Sequence, residues 1–186
     1  MRPTLILLDC QCERGEAVDP SQQAVVERIT RLLSTARHCG WSVMHSQFQA
    51  PATLNPIRLL PAAPIPALKP LAREPVFVRS ALSAYSDRDF EPLVQRQGAG
   101  PVFLVGFSAP FSVLATVFDS VARGQRLTVI PEAVGTSPLG AQTTSNVTEV
   151  ALELIGRLTR ITPWDAVKRD WIQAEASIAK KQMGLG

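Results

Sequence analysis

The sequence predicts an α/β protein in which a doubly wound, mainly parallel sheet carries helices on both faces. Short apolar runs typical of buried strands alternate along the chain with amphipathic segments at helical spacing. In addition, the stretch from Pro101 to Ser137 contains a strand, a small-residue turn, a helix and a second strand, which together make one βαβ unit. Because parallel strands can be joined only through such crossovers, we expect a parallel sheet around this unit.

Size and composition are those of an ordinary globular protein. The chain has 186 residues, of which 46% are hydrophobic, and we expect a single domain over 1–186 with a full core. A net charge of +3 is too small to indicate a nucleic-acid partner, and no apolar run approaches the roughly 20 residues that span a bilayer. An odd number of cysteines, Cys10, Cys12 and Cys39, and the lack of a secretory leader favour a reducing, cytoplasmic location.

The chain is predicted to begin with a strand, a helix and a strand. Thr4–Leu8 is an almost continuous apolar run, typical of a strand buried on both faces, and it stops at Asp9. Asp19, followed by proline, is a strong helix start, and Gly40 is a typical helix end. Trp41–His45 then supplies the second strand.

A proline-rich stretch follows, from Gln47 to Pro75, with seven prolines and several apolar residues. Loops longer than about 12–15 residues in a compact domain are usually functional or disordered. The apolar content favours an ordered cover over a flexible linker. Pro75–Val78 is predicted as the third strand, ending at Arg79, and Asp89–Gln97 as a short helix.

The last third of the chain is predicted to add two helices and an edge strand. We expect a helix over Leu139–Arg157, a strand over Leu158–Thr162 and a final helix over about 163–182. Apolar residues of the final helix recur with spacings of 3, 4, 3 and 4, which is a heptad-like seam. They are Trp164, Val167, Trp171, Ala174 and Ile178. This seam packs either against the protein's own sheet or against a second subunit.

Three chemically useful side chains follow three strands or turns at the same predicted edge of the sheet. Asp9, Arg79 and Ser112 together supply a carboxylate, a cation and a hydroxyl, a set that can perform acid–base chemistry. Each also has a structural explanation. Asp9 can cap a turn, Arg79 can pair with Asp87 or Asp89 on the surface, and Ser112 can satisfy a backbone donor at a helix start.

Three segments carry a resemblance to a known family. LILLDCQ, RSALSAY and GFSAPFSVLATVFDSVARGQRLTVIPEA resemble, in order and spacing, the isochorismatase-like (cysteine hydrolase) superfamily of nicotinamidases, carbamoylsarcosine amidases and isochorismatases. The resemblance runs from about Leu5 to Ala133. It implies a three-layer α/β/α sandwich with a six-stranded sheet, an acid–lysine–cysteine triad, and an unusual cis peptide that by position would be Phe107–Ser108.

Two of the three triad positions depart from the family pattern. Asp9 matches the catalytic acid, but Arg79 stands where the family has lysine and Ser112 where its amidases have the nucleophilic cysteine. Arginine stays charged and cannot share a proton as lysine can, and a serine hydroxyl needs an adjacent base. Amide hydrolysis through a thioester is therefore not expected. Glu132 also replaces the aspartate that usually precedes Ala133.

The resemblance further implies where a small anionic substrate would bind, and it implies no cofactor. The implied substrate-binding residues are Gln11, Gln47, Tyr85, Phe107, Ser108 and Ala109. The metal-binding Asp-x-His of nicotinamidases is missing after the second strand, so we expect no metal. His45, which lies there, is either a lone ligand or, as is more typical, a packed residue at a strand end.

These observations leave three functional hypotheses. The first is a small hydrolase acting on a vinyl ether or a C–N bond of an anionic metabolite. The vinyl-ether route resembles that of true isochorismatases, which carry a small residue in place of the cysteine. There Asp9 donates the proton, Arg79 binds a substrate carboxylate as a fork and Ser112 leaves room. The second is a non-catalytic relative that serves as a ligand-binding or assembly module. The third makes Ser112 a true nucleophile. The family's habit of assembling implies a homo-oligomer in each case.

Overall fold

The computed structural model describes residues 2–12, 22–49, 62–96, 98, 100–137 and 139–182, and these contain a six-stranded parallel sheet. The strands are β1 (Thr4–Leu8), β2 (Ser42–Phe48), β3 (Val76–Arg79), β4 (Val102–Phe107), β5 (Leu127–Gly135) and β6 (Arg160–Ile161). The helices are α1 (Gln23–His38), α2 (Phe90–Arg96), α3 (Leu114–Ala122), α4 (Thr144–Gly156) and α5 (Trp164–Gln182). The strand order is β3-β2-β1-β4-β5-β6, and the predicted doubly wound α/β fold is confirmed.

Two apolar clusters lie on opposite faces of this sheet and make the three layers. One cluster joins Leu5 and Leu7 of β1 to α1 and to Val167 of α5. The other joins Ile6 and Leu8 of β1 to α2, α3 and α4. Because successive side chains of a strand point to opposite faces, the unbroken apolar run of β1 is what a central strand between two layers requires. None of the described helices is long and apolar enough to cross a membrane.

The second strand is longer than the sequence pattern indicated. The predicted strand ended at His45, whereas β2 continues to Phe48. The extension pairs with β3, from His45 opposite Val76 to Phe48 opposite Arg79. The polar residues of the extension adopt strand conformation because β3 satisfies their backbone N–H and C=O groups. The residue types of this segment alone do not indicate that pairing. The predicted helix start at Asp19 lies outside the described residues.

The fifth strand also continues past its predicted end. The β-rich run Leu127–Ile130 predicts a strand that stops before Pro131, a residue that interrupts sheet hydrogen bonding, yet β5 runs to Gly135. A shift of register between Leu104 and Gly106 of β4 accommodates the interruption, after which Phe107 lies opposite Gly135. The irregularity lies at the strand ends where the predicted site is expected.

Helix α4 and strand β6 are shorter than predicted, whereas α5 has almost its predicted bounds. Helix α4 begins only at Thr144, because the Thr143 hydroxyl accepts a hydrogen bond from the backbone N–H of Asn146 at 3.3 Å and caps the helix. Residues Leu139 and Gln142, predicted as helical, form an antiparallel bridge instead. The edge strand β6 contains two residues only.

The seam of the last helix packs on the protein's own sheet as far as the structure describes it. The ring centroids of Trp164 and Trp171 lie 6.1 and 5.5 Å from that of Trp41, which precedes β2. The backbone N–H of Trp164 donates to Glu132 Oε1 at 2.8 Å, so the glutamate in the family's aspartate position holds the helix start. The side chains of Ala174 and Ile178 lie outside the described set.

The described part of the proline-rich stretch is ordered against the body of the protein. Residues 50–61 lie outside the described part of the chain. Beyond them, Ile65 and Leu68 are buried in the cluster that contains α1. The segment also forms a bridge between Pro64 and Gln11, close to Asp9. This part is therefore the apolar cover that the composition predicted.

Candidate active site

Asp9 lies at the carboxyl end of the central strand in a strained backbone conformation. Its φ is +46°, in the left-handed region that few residues other than glycine adopt, and its backbone N–H donates to the carbonyl of Ser46 at 2.9 Å. On the other side of β1, Gly106 has a φ of +119°, and a Cβ there would lie 2.0 Å from the Leu8 carbonyl oxygen. Only glycine lets the two strands meet this closely beside Asp9.

Arg79 ends β3, and its buried guanidinium holds Asp9 from one side. Nη2 donates to both carboxylate oxygens of Asp9, at 2.8 and 2.9 Å. Nε donates to Ser46 Oγ at 3.0 Å, and Nη1 donates to the carbonyl of Ala81 at 2.9 Å. The guanidinium also lies over the Phe48 ring, 5.6 Å from its centroid.

This arrangement differs from the surface ion pair that was one expectation for Arg79. It forms no surface pair with Asp87, whose carboxylate instead accepts a hydrogen bond from the backbone N–H of Asp89. Each of its three nitrogens donates to a protein acceptor and the side chain is fully buried, so the partner that the structure gives it is Asp9; the binding of a substrate carboxylate stays a prediction. Arg79 is an internal counter-ion of Asp9.

Ser112, in the turn after β4, contacts the same Asp9 carboxylate. It lies in a π-helical turn, Ala109–Val113, in which the Val113 N–H donates to the Ser108 carbonyl at 3.1 Å. Sequence alone predicted an ordinary helical turn. The Ser112 hydroxyl is buried and donates to Asp9 Oδ2 at 2.5 Å. Single π turns often mark functional sites, since they re-aim one side chain within a helix.

Burial governs the electrostatics of this three-residue cluster. It raises the pKa of the Asp9 carboxyl above its ordinary value, while the charge of Arg79 and the hydrogen bonds from Ser112, Arg79 and the Phe48 backbone oppose the shift. Arg79 stays charged throughout. Asp9 is therefore the group of the three that can take up and release a proton. Its carboxylate lies in hydrogen-bond contact with the Ser112 hydroxyl.

The comparison with known proteins assigns the family. The sequence model of the isochorismatase domain matches residues 3–151. The chain belongs to the isochorismatase family. It is 30% identical over 132 residues to a maleamate amidohydrolase from Pseudomonas putida, a match that covers 62% of this chain and 62% of that relative's length.

Solved structures of isochorismatase-like proteins share the fold. An isochorismatase from Pseudomonas putida has a TM-score of 0.75 at 24% identity, with 87% of this chain and 88% of that chain covered. An N-carbamoylsarcosine amidase from Thermoplasma acidophilum has a TM-score of 0.68 at 21% identity, with 88% and 96% covered. At such identities the likeness concerns the fold.

Gln11, expected at the substrate, is tied to the backbone in this isochorismatase-family site. Its Nε2 donates to the carbonyls of Phe48 and Ala62, at 3.2 and 3.0 Å, and its Oε1 accepts from the Phe48 N–H at 3.0 Å. The amide group thus joins three segments, the loop after Asp9, the end of β2 and the cover. These contacts describe a residue that positions the site.

Gln47 is buried in β2 on the sheet face that carries α1. It shares this face with Val43 and His45, because alternate residues of a strand point the same way. Ser46, whose hydroxyl contacts Arg79, points to the other face. Gln47 is thus separated from the Arg79 side chain by the sheet.

Tyr85 is placed away from Ser112. Its ring packs edge-on against Phe90, with centroids 5.0 Å apart, and its hydroxyl contacts Gln125 Oε1 at 2.5 Å. Gln125 follows the carboxyl end of α3, whereas Ser112 precedes its amino end, and a nine-residue helix is about 14 Å long. Burial raises the pKa of the Tyr85 hydroxyl. The described contacts place Tyr85 in the core, and its role in binding substrate stays a prediction.

The turn that leads to Ser112 has the backbone feature that the resemblance implied. The Phe107–Ser108 peptide is cis. The hydroxyls of Ser108 and Thr136 are 2.5 Å apart, which joins the end of β4 to the end of β5. Phe107 and Ala109 are buried in the two apolar clusters. Of the three predicted residues in this turn, Ser108 is the one with a polar group near the strand ends.

One residue of the site region, Ser46, was not anticipated from sequence. Ser46 anchors both the Arg79 guanidinium and the Asp9 backbone. The sequence signal for Ser46 was its spacing of two residues from Met44, which places both side chains on the same face of β2. His45 is not part of the site: Nε2 lies 3.0 Å from Glu74 Oε2, and burial lowers the pKa of the imidazole.

Neither a metal nor a reactive thiol is indicated by the described residues. They contain no group of three His, Cys, Asp or Glu side chains arranged to hold a metal ion. Cys10, adjacent to Asp9, is buried, and burial together with the Asp9 charge raises the pKa of its thiol. Cys10 therefore does not supply the thiolate that position 112 lacks.

Proposed function

We propose that this isochorismatase-family protein is a hydrolase that cleaves a C–N bond in a small anionic metabolite, with Asp9 as its acid/base. The observation that carries the proposal is the hydrogen bond from the Ser112 hydroxyl to Asp9 Oδ2 at 2.5 Å. A nucleophile and its base must lie within such reach. The similarity to a maleamate amidohydrolase supports an anionic amide as the substrate class.

In the proposed reaction Asp9 moves one proton back and forth. Ser112 Oγ attacks the carbonyl carbon while its proton passes to Asp9 Oδ2, and the proton then goes to the leaving nitrogen as the C–N bond breaks. Water next attacks the resulting ester, Asp9 accepts a proton from it, and that proton returns to Ser112 as the acid is released. Arg79 keeps the carboxylate oriented and does not itself exchange a proton.

The protonation state of the cluster favours this route over cleavage of a vinyl ether. Ether cleavage needs a protonated Asp9 that gives its proton to carbon. In the observed geometry Arg79 donates to both oxygens of Asp9 and the Ser112 hydroxyl lies 2.5 Å from Oδ2, and these contacts favour the ionised carboxylate against the effect of burial. A carboxylate that accepts a serine proton is a base.

Turnover measurements on three substrate classes test the proposal. The panel contains anionic amides, N-carbamoyl compounds and anionic vinyl ethers, with the wild type, Asp9→Asn, Ser112→Ala and Ser120→Ala. Ser120, a buried serine of α3 that donates to the Val117 carbonyl, is the matched control. We expect amide cleavage to fall by about 10³-fold or more in both site variants and to persist in the control.

Other outcomes of that panel reassign the chemistry. Activity that survives Asp9→Asn removes Asp9 from the mechanism. Ether cleavage that survives Ser112→Ala but not Asp9→Asn makes Asp9 the proton donor of the ether route and Ser112 a mere spacer.

A second candidate function is a non-catalytic, ligand-binding member of the family. The buried ion pair of Arg79 with Asp9 favours it, because this pair replaces the lysine through which a proton can be shared. Calorimetric titration with the anionic amides separates the two: binding without turnover supports the second candidate, and turnover that is lost in Asp9→Asn excludes it.

We also propose a cytoplasmic location. The support is that Cys10, Cys12 and Cys39 are all free thiols. Free cysteines are typical of a reducing compartment.

A further inference from the structure

A cavity of about 280 Å³ lies at the edge of the sheet opposite to Asp9, and is here called the amino-end cavity. Its lining includes Pro3 and Pro101, which directly precede β1 and β4, and Trp41, which directly precedes β2. These residues mark the amino ends of three strands, whereas Asp9 follows the carboxyl end of β1. Because β1 has five residues, its two ends are roughly 15 Å apart. The amino-end cavity is therefore separate from the candidate active site.

Aromatic rings form one wall of the amino-end cavity. The Trp41 ring stacks on Phe103 of β4, with centroids 5.4 Å apart, and meets Trp171 of α5 edge-on at 5.5 Å. All three side chains line the cavity, together with Val167 of α5. A cavity of about 150 Å³ already holds a benzene ring, and ligand pockets begin at about 300 Å³. The amino-end cavity therefore suits one aromatic ring with a short polar end.

Trp41 also supplies a buried donor that lacks an acceptor. Its side chain is only 6% exposed, and within the described part of the chain its indole N–H makes no hydrogen bond. Buried donors are nearly always paired, because an unpaired one loses its hydration without compensation. A ligand that carries an acceptor would remove this cost. The unpaired donor thus favours a ligand with an oxygen atom beside its ring.

The amino-end cavity is also lined by one cation and one anion. Arg160 comes from β6 and Asp170 from α5, and both residues are exposed. Neither side chain forms an ion pair or a hydrogen bond with another described residue. Two unpaired charges of opposite sign beside an aromatic wall match a ligand that carries both charges on a short group.

We propose that the amino-end cavity is an accessory binding site for a small zwitterion with an aromatic ring, the chemistry of an aromatic α-amino acid. The ring packs against Trp41 and Trp171. The carboxylate pairs with Arg160 and offers a further acceptor to the Trp41 N–H, while the ammonium pairs with Asp170. This site lies apart from Asp9 and Ser112, so it does not depend on the proposed hydrolysis.

Tryptophan fluorescence reports directly on this site. The chain has three tryptophans, and the rings of Trp164 and Trp171 both contact that of Trp41. The probe is L-phenylalanine, because its ring does not absorb where tryptophan is selectively excited. We expect a saturable change of fluorescence when the full chain is titrated to about 10 mM, with the same midpoint by calorimetry. The absence of saturable binding over this range overturns the proposal.

Analogues that lack one charge test the two ends of the ligand separately. 3-Phenylpropanoate has no ammonium, and phenethylamine has no carboxylate. We expect Arg160→Gln to weaken binding of L-phenylalanine and 3-phenylpropanoate by about three- to tenfold and not to weaken binding of phenethylamine. Asp170→Asn should weaken binding of L-phenylalanine and phenethylamine by a similar factor and spare 3-phenylpropanoate. Equal effects on both analogues overturn the proposed orientation.

Matched controls keep the charge effects specific to the amino-end cavity. Arg157→Gln and Asp165→Asn change exposed residues outside it that pair with Glu153 and Lys168, and both variants should bind as the wild type does. Trp41 also borders a second cavity, of about 230 Å³, in which Arg73 is the available cation. Weaker binding in Arg73→Gln assigns the ligand to that cavity and overturns the proposal. Unchanged binding in both Arg160→Gln and Asp170→Asn overturns it as well.

Discussion

Nη2 of Arg79 donates to both carboxylate oxygens of Asp9, at 2.8 and 2.9 Å, while the other two nitrogens of Arg79 donate to Ser46 and Ala81. A lysine has one nitrogen and cannot serve these separated acceptors together. The arginine thus links the ends of β1, β2 and β3. Proton transfer in the site is therefore left to Asp9 and to Ser112, which also contacts the Asp9 carboxylate.

Removal of the Arg79 charge is expected to destabilise the fold more than its replacement by lysine. Arg79→Met leaves the Asp9 carboxylate buried without a counter-ion, which costs about 3–5 kcal/mol. Arg79→Lys keeps the charge and loses some hydrogen bonds, which costs about 1–3 kcal/mol. Urea denaturation gives both values, with the exposed Arg88→Met as the control at below about 0.5 kcal/mol. Equal losses in the Met and Lys variants would show that the charge does not matter.

Loss of the Ser112 hydroxyl is expected to raise the pKa of Asp9 further. The hydroxyl hydrogen bond stabilises the ionised carboxylate and so lowers this pKa, against the effect of burial. In Ser112→Ala the carboxylate loses that donor, and the proton binds at higher pH. Carbon-13 NMR titration of the Asp9 carboxyl measures the shift. Ser120→Ala, which lacks contact with Asp9, should leave the titration in place; a downward shift in Ser112→Ala would contradict the hydrogen bond.

Glu74 is expected to make the protein sensitive to acid. Burial acts to raise its pKa, but hydrogen bonds from Arg37, the Leu71 backbone and His45, with the Arg37 charge, outweigh burial and lower the pKa from 4.5 to about 2. The unfolded chain therefore binds this proton first as pH falls. The stabilisation by Glu74 is fully present above pH 4.5 and is lost as the pH falls toward about 2.

The variant Glu74→Gln isolates this contribution. At pH 7 its free energy of unfolding should be about 1–3 kcal/mol lower than that of the wild type, because Arg37, His45 and the Leu71 N–H lose a charged acceptor. The difference should shrink as the pH is lowered from 4.5 to about 2. Thermal unfolding at a series of pH values measures it, and Glu153→Gln, on the surface of α4, serves as the control. A constant difference across this range would rule out the proposed origin.

Gln11→Ala is expected to loosen the cover without unfolding the sheet. The side chain joins the end of β2 to Ala62, beside the backbone bonds from Cys12 N–H to Ala63 and from Ile65 N–H to Cys10. Its loss should speed hydrogen exchange at the Cys12 and Ile65 amides by about tenfold or more. Amides of β4 should exchange as in the wild type. The surface variant Gln95→Ala is the control, and unchanged exchange in Gln11→Ala would mean that other contacts hold the cover.

Local sequence patterns were sufficient for the architecture. The apolar run of Thr4–Leu8 and the βαβ pattern from Pro101 to Ser137 predicted a parallel sheet, and the shared edge of parallel strands predicted that Asp9, Arg79 and Ser112 lie at one end of it. The resemblance added the layer count and the cis peptide at Phe107–Ser108. Each of these depends on periodicity or on residue types close together in the chain.

Contacts between distant segments were decided by the tertiary structure. The periodicity of residues 42–48 does not reveal that β3 lets the strand reach Phe48, nor does Pro131 reveal that a register shift lets β5 continue. Sequence proposed Tyr85 and Arg79 for substrate, yet their polar groups meet Gln125 and Asp9.

The sequence by itself determined the order of strands and helices and the placement of Asp9 and Arg79 at strand ends, because alternation and helical spacing are properties of one segment. Only the tertiary structure decided which acceptor each donor meets. A hydrogen bond such as that from Ser112 to Asp9 depends on angstrom-scale distances between strands, and these arise from the packing of both apolar layers together.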